Sequence, residues 1–361
     1  MSSTIANTYA FAVSERRGLR AQIVVALLLM LGIGSYFWVS SRYPALLKKY
    51  HSGKTIHISG ALSFDALMPA DAKMPIPTRV VRTTINWMYT NRIGMTFGIF
   101  FGAALLTLLP LLPQRRFRSA AANTALGAVT GAPLGVCANC VAPIGRSLYQ
   151  GGVAPSTVLA TMISSPTLNV VVLAMAFTLF PLKIALVRLT VPFVLLALVP
   201  WLVPSTPSGV QTTQFLADAG WLRPTGSTLV TYLKNLVRLA ATTVPLMIVA
   251  AVLGALVIEA LPAQGLRTQV SIAGIVLVAL AGTFLPVPMA FDIAAAFVLM
   301  ARGVPTPYVV TLLCTLGAYS VYGLLIIGRT ISWRTALRVF GAVMLAGVAA
   351  GLGTSLVQDA L

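Results

Sequence analysis

GAPLGVCANCVAPIGRSLYQGGVAPSTVLATMISSPTLN, residues Gly131 to Asn169, lies among long apolar runs yet is dense in residues that interrupt helices. Gly131, Pro133, Gly135, Pro143, Gly145, Gly151, Gly152, Pro155 and Pro166 fall within it, and Cys137 and Cys140 sit between the first breaks. Hydrocarbon offers no water to an unpaired backbone group. Irregular chain at membrane depth therefore survives only against protein or a watery cavity. Broken apolar segments are the sequence mark of a transport site.

Composition agrees. The chain has 361 residues, 58% hydrophobic and 9% charged, with a mean hydropathy of +0.90. A soluble domain carries about 25% charged residues, so this balance describes an integral membrane protein. The apolar segments run to about 20 residues, the length of a spanning helix and not of an outer-membrane strand. The fold class expected is an all-α polytopic membrane protein with about nine or ten transmembrane helices. The net charge of +18 comes from 25 Lys and Arg against 7 Asp and Glu. These bases lie between apolar spans, where they fix topology and meet anionic head groups. No basic block is interleaved with aromatics, so nucleic acid is excluded as a partner.

Residues 1–41 read as a polar tail, with Arg16, Arg17 and Arg20, followed by an apolar first helix, Ala21–Val39. Residues 42–91 read as an extramembrane loop holding both histidines, His51 and His57. Met68 and Met74 add soft donors there, but the spacing matches no metal-site pattern. Trp87 and its basic neighbours look like an interfacial anchor. A first repeat over 92–203, a connecting loop over 204–236 and a second repeat over 237–361 complete the division.

The repeat rests on a shift of 151 residues, which sets Gly131 on Gly282, Leu134 on Leu285, Val136 on Val287 and Gly152-Val153 on Gly303-Val304. The helix breaks coincide, with Pro286 and Pro288 where the first copy has Gly135 and Cys137. If the broken segments turn back, the repeats are inverted. Ten basic residues then lie inside, against Lys183, Arg188, Arg267 and Arg302 outside. If they cross, the split is nine to five. The positive-inside rule leans to the inverted, re-entrant version.

Cys137-Ala-Asn-Cys140 has the spacing of a dithiol and of half a zinc site, but no further ligand is near. As thiolates the pair would bind a soft metal or metalloid; otherwise they are two small packed thiols. Asn139 lies between them. Arg146 stands in an apolar stretch, either as a functional charge or as an interfacial anchor. Asp292 is the acid of the second broken segment, suited to a coupling proton or a cationic solute, or else paired with Arg302 or another base. Ser165, Pro166 and Asn169 form a polar notch, because Pro166 frees a carbonyl that hydroxyls can satisfy. Tyr319, Ser320 and Tyr322 occupy the comparable place in the second half.

These residues resemble the predicted-permease family of bacterial inner-membrane proteins that includes the methylarsenite efflux permeases. Cys137, Cys140, Pro143, Gly152, Ser165, Pro166 and Asn169 carry the likeness in the first half, and Pro286, Pro288, Asp292, Gly303 and Val304 in the second. It spans about residues 93–356 and is most specific over 133–169. This chain has Cys-x-x-Cys where the family has Cys-x-Cys, and Val170 where a second proline often follows the Asn. The 42–91 insert and the helix before it are not typical of the family.

The resemblance implies a multi-pass inner-membrane permease that exports a small thiophilic solute, such as a trivalent arsenical or metal complex. Cys137, Asn139, Cys140, Arg146, Ser165, Pro166, Asn169 and Asp292 would form the solute site. Its partners are that small molecule or metalloid and the lipid bilayer, with a homo-oligomer or a membrane partner left open. No catalytic residues and no cofactor are assigned, and no Gly-x-x-x-x-Gly-Lys-Ser/Thr phosphate loop occurs. The alternatives are a membrane dithiol redox or sulfur-transfer protein and a non-transporting membrane scaffold.

Overall fold

Among the described residues, two sets of six α-helices follow one another at the spacing the repeat predicts. The computed structural model describes residues 2–52, 67–71, 73–112, 117–203, 228–260 and 270–359. His57, Arg115, Arg116, Arg223, Arg267 and most of the 204–236 connection lie outside the described residues, as does the side chain of His51.

Helix α1 (Ser2–Phe37) passes through a π-helical turn, Trp38–Arg42, into α2 (Tyr43–Ser52). The first repeat comprises α3 (Ile76–Leu108), α4 (Ala120–Gly131), α5 (Val141–Gln150), α6 (Pro155–Thr167), α7 (Val170–Leu179) and α8 (Leu182–Leu202). The second comprises α9 (Thr228–Ala260), α10 (Ile272–Phe284), α11 (Phe291–Ala301), α12 (Thr306–Thr315), α13 (Val321–Thr330) and α14 (Trp333–Asp359). Helix α3 starts at Ile76, so the end of the expected 42–91 loop is helix, and α9 starts at Thr228 instead of 237. Pro75 and Pro77 open α3 well, since a missing N–H costs nothing in a first turn.

Local signals recur at equivalent places. Gly152 and Gly303 both take positive φ, at 91° and 76°, in the turns that lead to α6 and α12. Proline then starts each of those helices. Asn169 accepts a bond from the Val171 amide to cap α7, and its equivalent Ser320 accepts from the Gly323 amide to cap α13.

Contacts settle direction. The Thr157 hydroxyl donates to the Asn123 carbonyl and that of Thr161 to the Gly127 carbonyl, at 2.9 and 3.2 Å. Gly131 packs against Thr161 and Ser164. Pairings that advance together make α4 parallel to α6, so α5 between them runs back. The first broken segment is therefore a re-entrant hairpin. In the second repeat Ser271 meets Tyr308 and Gly282 meets Thr315, which makes α10 parallel to α12 and α10–α11 a second hairpin.

The equivalent helices α3 and α9 pack along each other, with Arg79 paired to Glu259, Gly102 against Leu239 and Asn235 donating to Thr107. That order is antiparallel. Equivalent helices running in opposite directions relate the repeats by a two-fold axis in the membrane plane, so the repeat is inverted.

Five helices among the described residues are long and apolar enough to cross by themselves, and α6–α7, bent by 41° at its break, makes a sixth. Its equivalent α12–α13 consists of two shorter apolar helices interrupted over 316–320. The two hairpins enter and return.

Candidate functional site

Four interruptions of helix meet in the centre of the bundle: the hairpin tips at 132–140 and 285–290, and the breaks at 168–169 and 316–320. Asn139 ties them together. Its amide donates to the Val287 carbonyl at 2.9 Å, and its carbonyl oxygen accepts from the Ser320 hydroxyl at 2.8 Å. The two-fold axis gives this contact a mate, in which the Asn169 amide lies 3.2 Å from the Met289 sulfur. Each hairpin tip thus touches the broken helix of the other repeat. Asn139, Asn169 and Ser320 are all buried. Replacing Asn139 with leucine would strand the Val287 carbonyl and the Ser320 hydroxyl, and should cost about 2 kcal/mol or more. The thermal unfolding midpoint in detergent measures this.

Cys137 and Cys140 close the first tip as a disulfide, with their Cα atoms 5.0 Å apart. The free dithiol expected from the sequence is thus the reduced form of this pair. Both residues are buried. Helix α3 presents glycine to this turn: a Cβ at Gly94 would strike the Cys140 sulfur, one at Gly98 the Cys140 carbonyl, and one at Gly102 the Ser147 hydroxyl. This stripe lets α5 lie directly on α3. The Asn91 side chain sits 3.8 Å from the Cys137 sulfur.

Asp292, in the first turn of α11, pairs with Arg188 of α8 at 3.1 Å. This is the pairing with another base that the sequence allowed, with Arg188 as that base. The charge count places Arg188 outside; the structure instead buries it at 1% exposure inside the bundle, and its Nε and Nη1 have no hydrogen-bond partner among the described residues. Asp292 also lies against Gly317, whose φ of 78° keeps the second break open beside it.

The remaining expected residues fall around this centre. Ser165 sits beside Val136, with its hydroxyl 3.4 Å from the Val136 amide, and Pro166 lies in the last turn of α6, just before the break. Arg146 stands apart in α5, half-buried, with a buried Nε lacking a hydrogen-bond partner among the described residues. Arg238 and Arg329 lie near it, so the three bases gather on one side of the centre. Tyr322, also near Arg146, donates to the Thr243 carbonyl at 3.4 Å.

Residues missed in the sequence reading also reach the tips. The Trp38 indole donates to the Pro133 carbonyl at 3.1 Å and the Arg42 guanidinium to the Gly135 carbonyl. At the other tip the Trp87 indole donates to the Pro286 carbonyl. Such carbonyls have left the helix ladder, and each would cost about 1–3 kcal/mol if left unpaired. Arg42 is 7% exposed and stacks on the Phe37 ring, 4.4 Å from its centroid. No group of three or more His, Cys, Asp or Glu able to hold a metal occurs among the described residues.

Residues 80–356 match the family model described as a predicted permease, ArsP_1. UPF0718 protein YraQ of Escherichia coli (strain K12) is 26% identical over 261 residues, which cover 70% of this chain and 74% of that protein. No solved structure matches. The helices and this match describe a multi-pass bacterial membrane protein. With most of its length matched, hairpins and broken helices included, the chain belongs to the predicted-permease family.

Proposed function

We propose that this permease exports a small thiophilic solute, such as a trivalent arsenical or metal complex, through the centre where the four interruptions meet. The observation that carries this reading is the cysteine pair at the first tip, buried beside Asn139 and within reach of the opposite repeat. Once reduced, both sulfurs stand close enough to share one soft atom. A trivalent arsenical bearing two hydroxyls would exchange them for two thiolates, taking up the two thiol protons and releasing two waters. Asn139, Ser165 and Asn169 offer hydrogen bonds around that position.

Sidedness follows from charge. Arg146, Arg238 and Arg329 gather on one side of the centre and would line that mouth of the pathway, whereas the equivalent positions on the other side, Phe297, Trp87 and Thr178, carry no charge. The positive-inside rule makes the arginine mouth cytoplasmic. Coupling to protons would use Asp292: a proton there would cancel its attraction for Arg188 and free the second hairpin from α8.

Uptake of a trivalent methylarsenical into everted vesicles under an imposed proton gradient tests the proposal. Uptake should be saturable, should require reductant and should fall by about tenfold or more in Cys140→Ser, as expected on losing one ligand of a chelated soft ion. Uptake unchanged by that substitution would remove the cysteines from the pathway.

The disulfide favours one second reading, a membrane dithiol carrier that passes electrons. Titrating the cysteines with and without reductant separates the two. A carrier cycles between dithiol and disulfide without moving solute, whereas the permease binds solute as the dithiol.

A further inference from the structure

The amino-terminal helix lies outside the family match, which begins at residue 80, yet it reaches the transport site. Helix α1 runs antiparallel to α3: Leu29, Met30 and Ile33 pack near Ala103 and Ala104, and Phe37 stacks on Phe97 at 3.9 Å. Phe97 neighbours Gly98, which faces Cys140, so the π-helical turn Trp38–Arg42 arrives at the depth of the cysteine turn. π-Helical insertions in α-helices are frequent at functional sites, because they re-aim side chains that regular spacing would turn away. Here the turn aims two donors at one target, the carbonyls of Pro133 and Gly135.

The two-fold axis shows what these donors replace. At the second tip an indole from α3, Trp87, holds the Pro286 carbonyl. The residue of α9 equivalent to Trp87 is Arg238, whose charge acts on Arg146 in the arginine mouth. The second repeat therefore brings no indole to the first tip, and the added helix brings Trp38. Arg42 completes the hold from a buried position. Next to it lies Asn169, whose amide nitrogen is 3.6 Å from where a Cβ on Gly135 would stand, with the Arg42 side chain at 3.8 Å.

We propose that Trp38 and Arg42 are positioning residues of the transport site, which hold the first hairpin tip closed and keep the cysteine pair from the face opposite the arginine mouth. The amino-terminal helix is then a working part of the permease and not only an anchor. The inference rests on the permease reading for the meaning of the site, but its test needs no solute. A failed flux assay and a failed test are therefore separate results.

The native cysteines serve as reporters. With Cys314→Ser as background and the pair reduced, labelling of Cys137 and Cys140 by a charged, membrane-impermeant maleimide is followed from each face in right-side-out and everted vesicles. Trp38→Phe combined with Arg42→Gln should raise the rate from the face opposite the arginine mouth by about tenfold or more, the factor for one lost bond to a charged donor. The unfolding midpoint should fall modestly, because the Pro133 and Gly135 carbonyls lose their donors, and the labelling rate of Arg42→Lys, which keeps the cation without the planar fork, should fall between. Leu28→Ala, at a lipid-exposed position of the same helix, should leave the rate unchanged. Labelling that does not change in the double variant overturns the proposal. So does a rise that is equal from both faces, since general loosening would produce it. If the double variant does not fold, Trp38→Phe alone decides by the same two outcomes.

Discussion

Arg188→Gln is expected to destabilise the protein by about 3–5 kcal/mol, because it leaves the Asp292 carboxylate buried and uncompensated. Asp292→Asn should do comparable damage, since Arg188 then keeps three buried donors with weak or absent partners. Replacing both, as Arg188→Leu with Asp292→Leu, should recover most of the stability, because two apolar side chains can fill that space without a charge to solvate. Thermal unfolding in detergent reads all three. Flux gives the complementary result: if the pair couples transport to protons, the stable double variant should no longer respond to a proton gradient. Gradient-driven flux in that variant would reduce the pair to a structural contact.

Gly98→Val carries the second large effect. A Cβ there falls on the Cys140 carbonyl, which is backbone and cannot step aside as a flexible side chain would. Overpacking usually costs about 1–3 kcal/mol, and a backbone obstacle places this substitution at or above the upper end. Helix α5 would be lifted from α3, taking Asn139 away from Val287 and Ser320. A lowered unfolding midpoint and a loss of flux should appear together. Gly341→Ala is the control: nothing lies within 4 Å of its added carbon, so stability should hold or rise slightly through helix propensity.

Much of this arrangement can be read in the sequence, because its signals are local. Proline and glycine show where helices break, and the 151-residue shift aligns those breaks, including the caps at Asn169 and Ser320. Whether a broken segment crosses or returns is not local information. It depends on which residues of α4 face which residues of α6, and counting basic residues only hinted at the answer. Arg188 was misplaced for a related reason. It lies near the start of α8, where a charge suits either a head group or a buried acid, and only the approach of α11 decides. Trp38, Arg42 and Trp87 have the composition of an interfacial belt, and composition does not say that their donors turn inward to tip carbonyls. The disulfide is likewise absent from the spacing alone, which suits a metal-binding dithiol equally well.

The glycine stripe of α3 makes the two halves of the molecule unequal partners. Pro245, Val249 and Leu253 of α9 occupy the places of Gly94, Gly98 and Gly102. Side chains of that bulk forbid α9 the close approach to α11 that α3 has to α5. The cysteine-bearing arm is thus laid along its scaffold helix, whereas the arm carrying Asp292 is fastened from elsewhere, through Arg188 of α8 and through Gly254 of α9 at its tip.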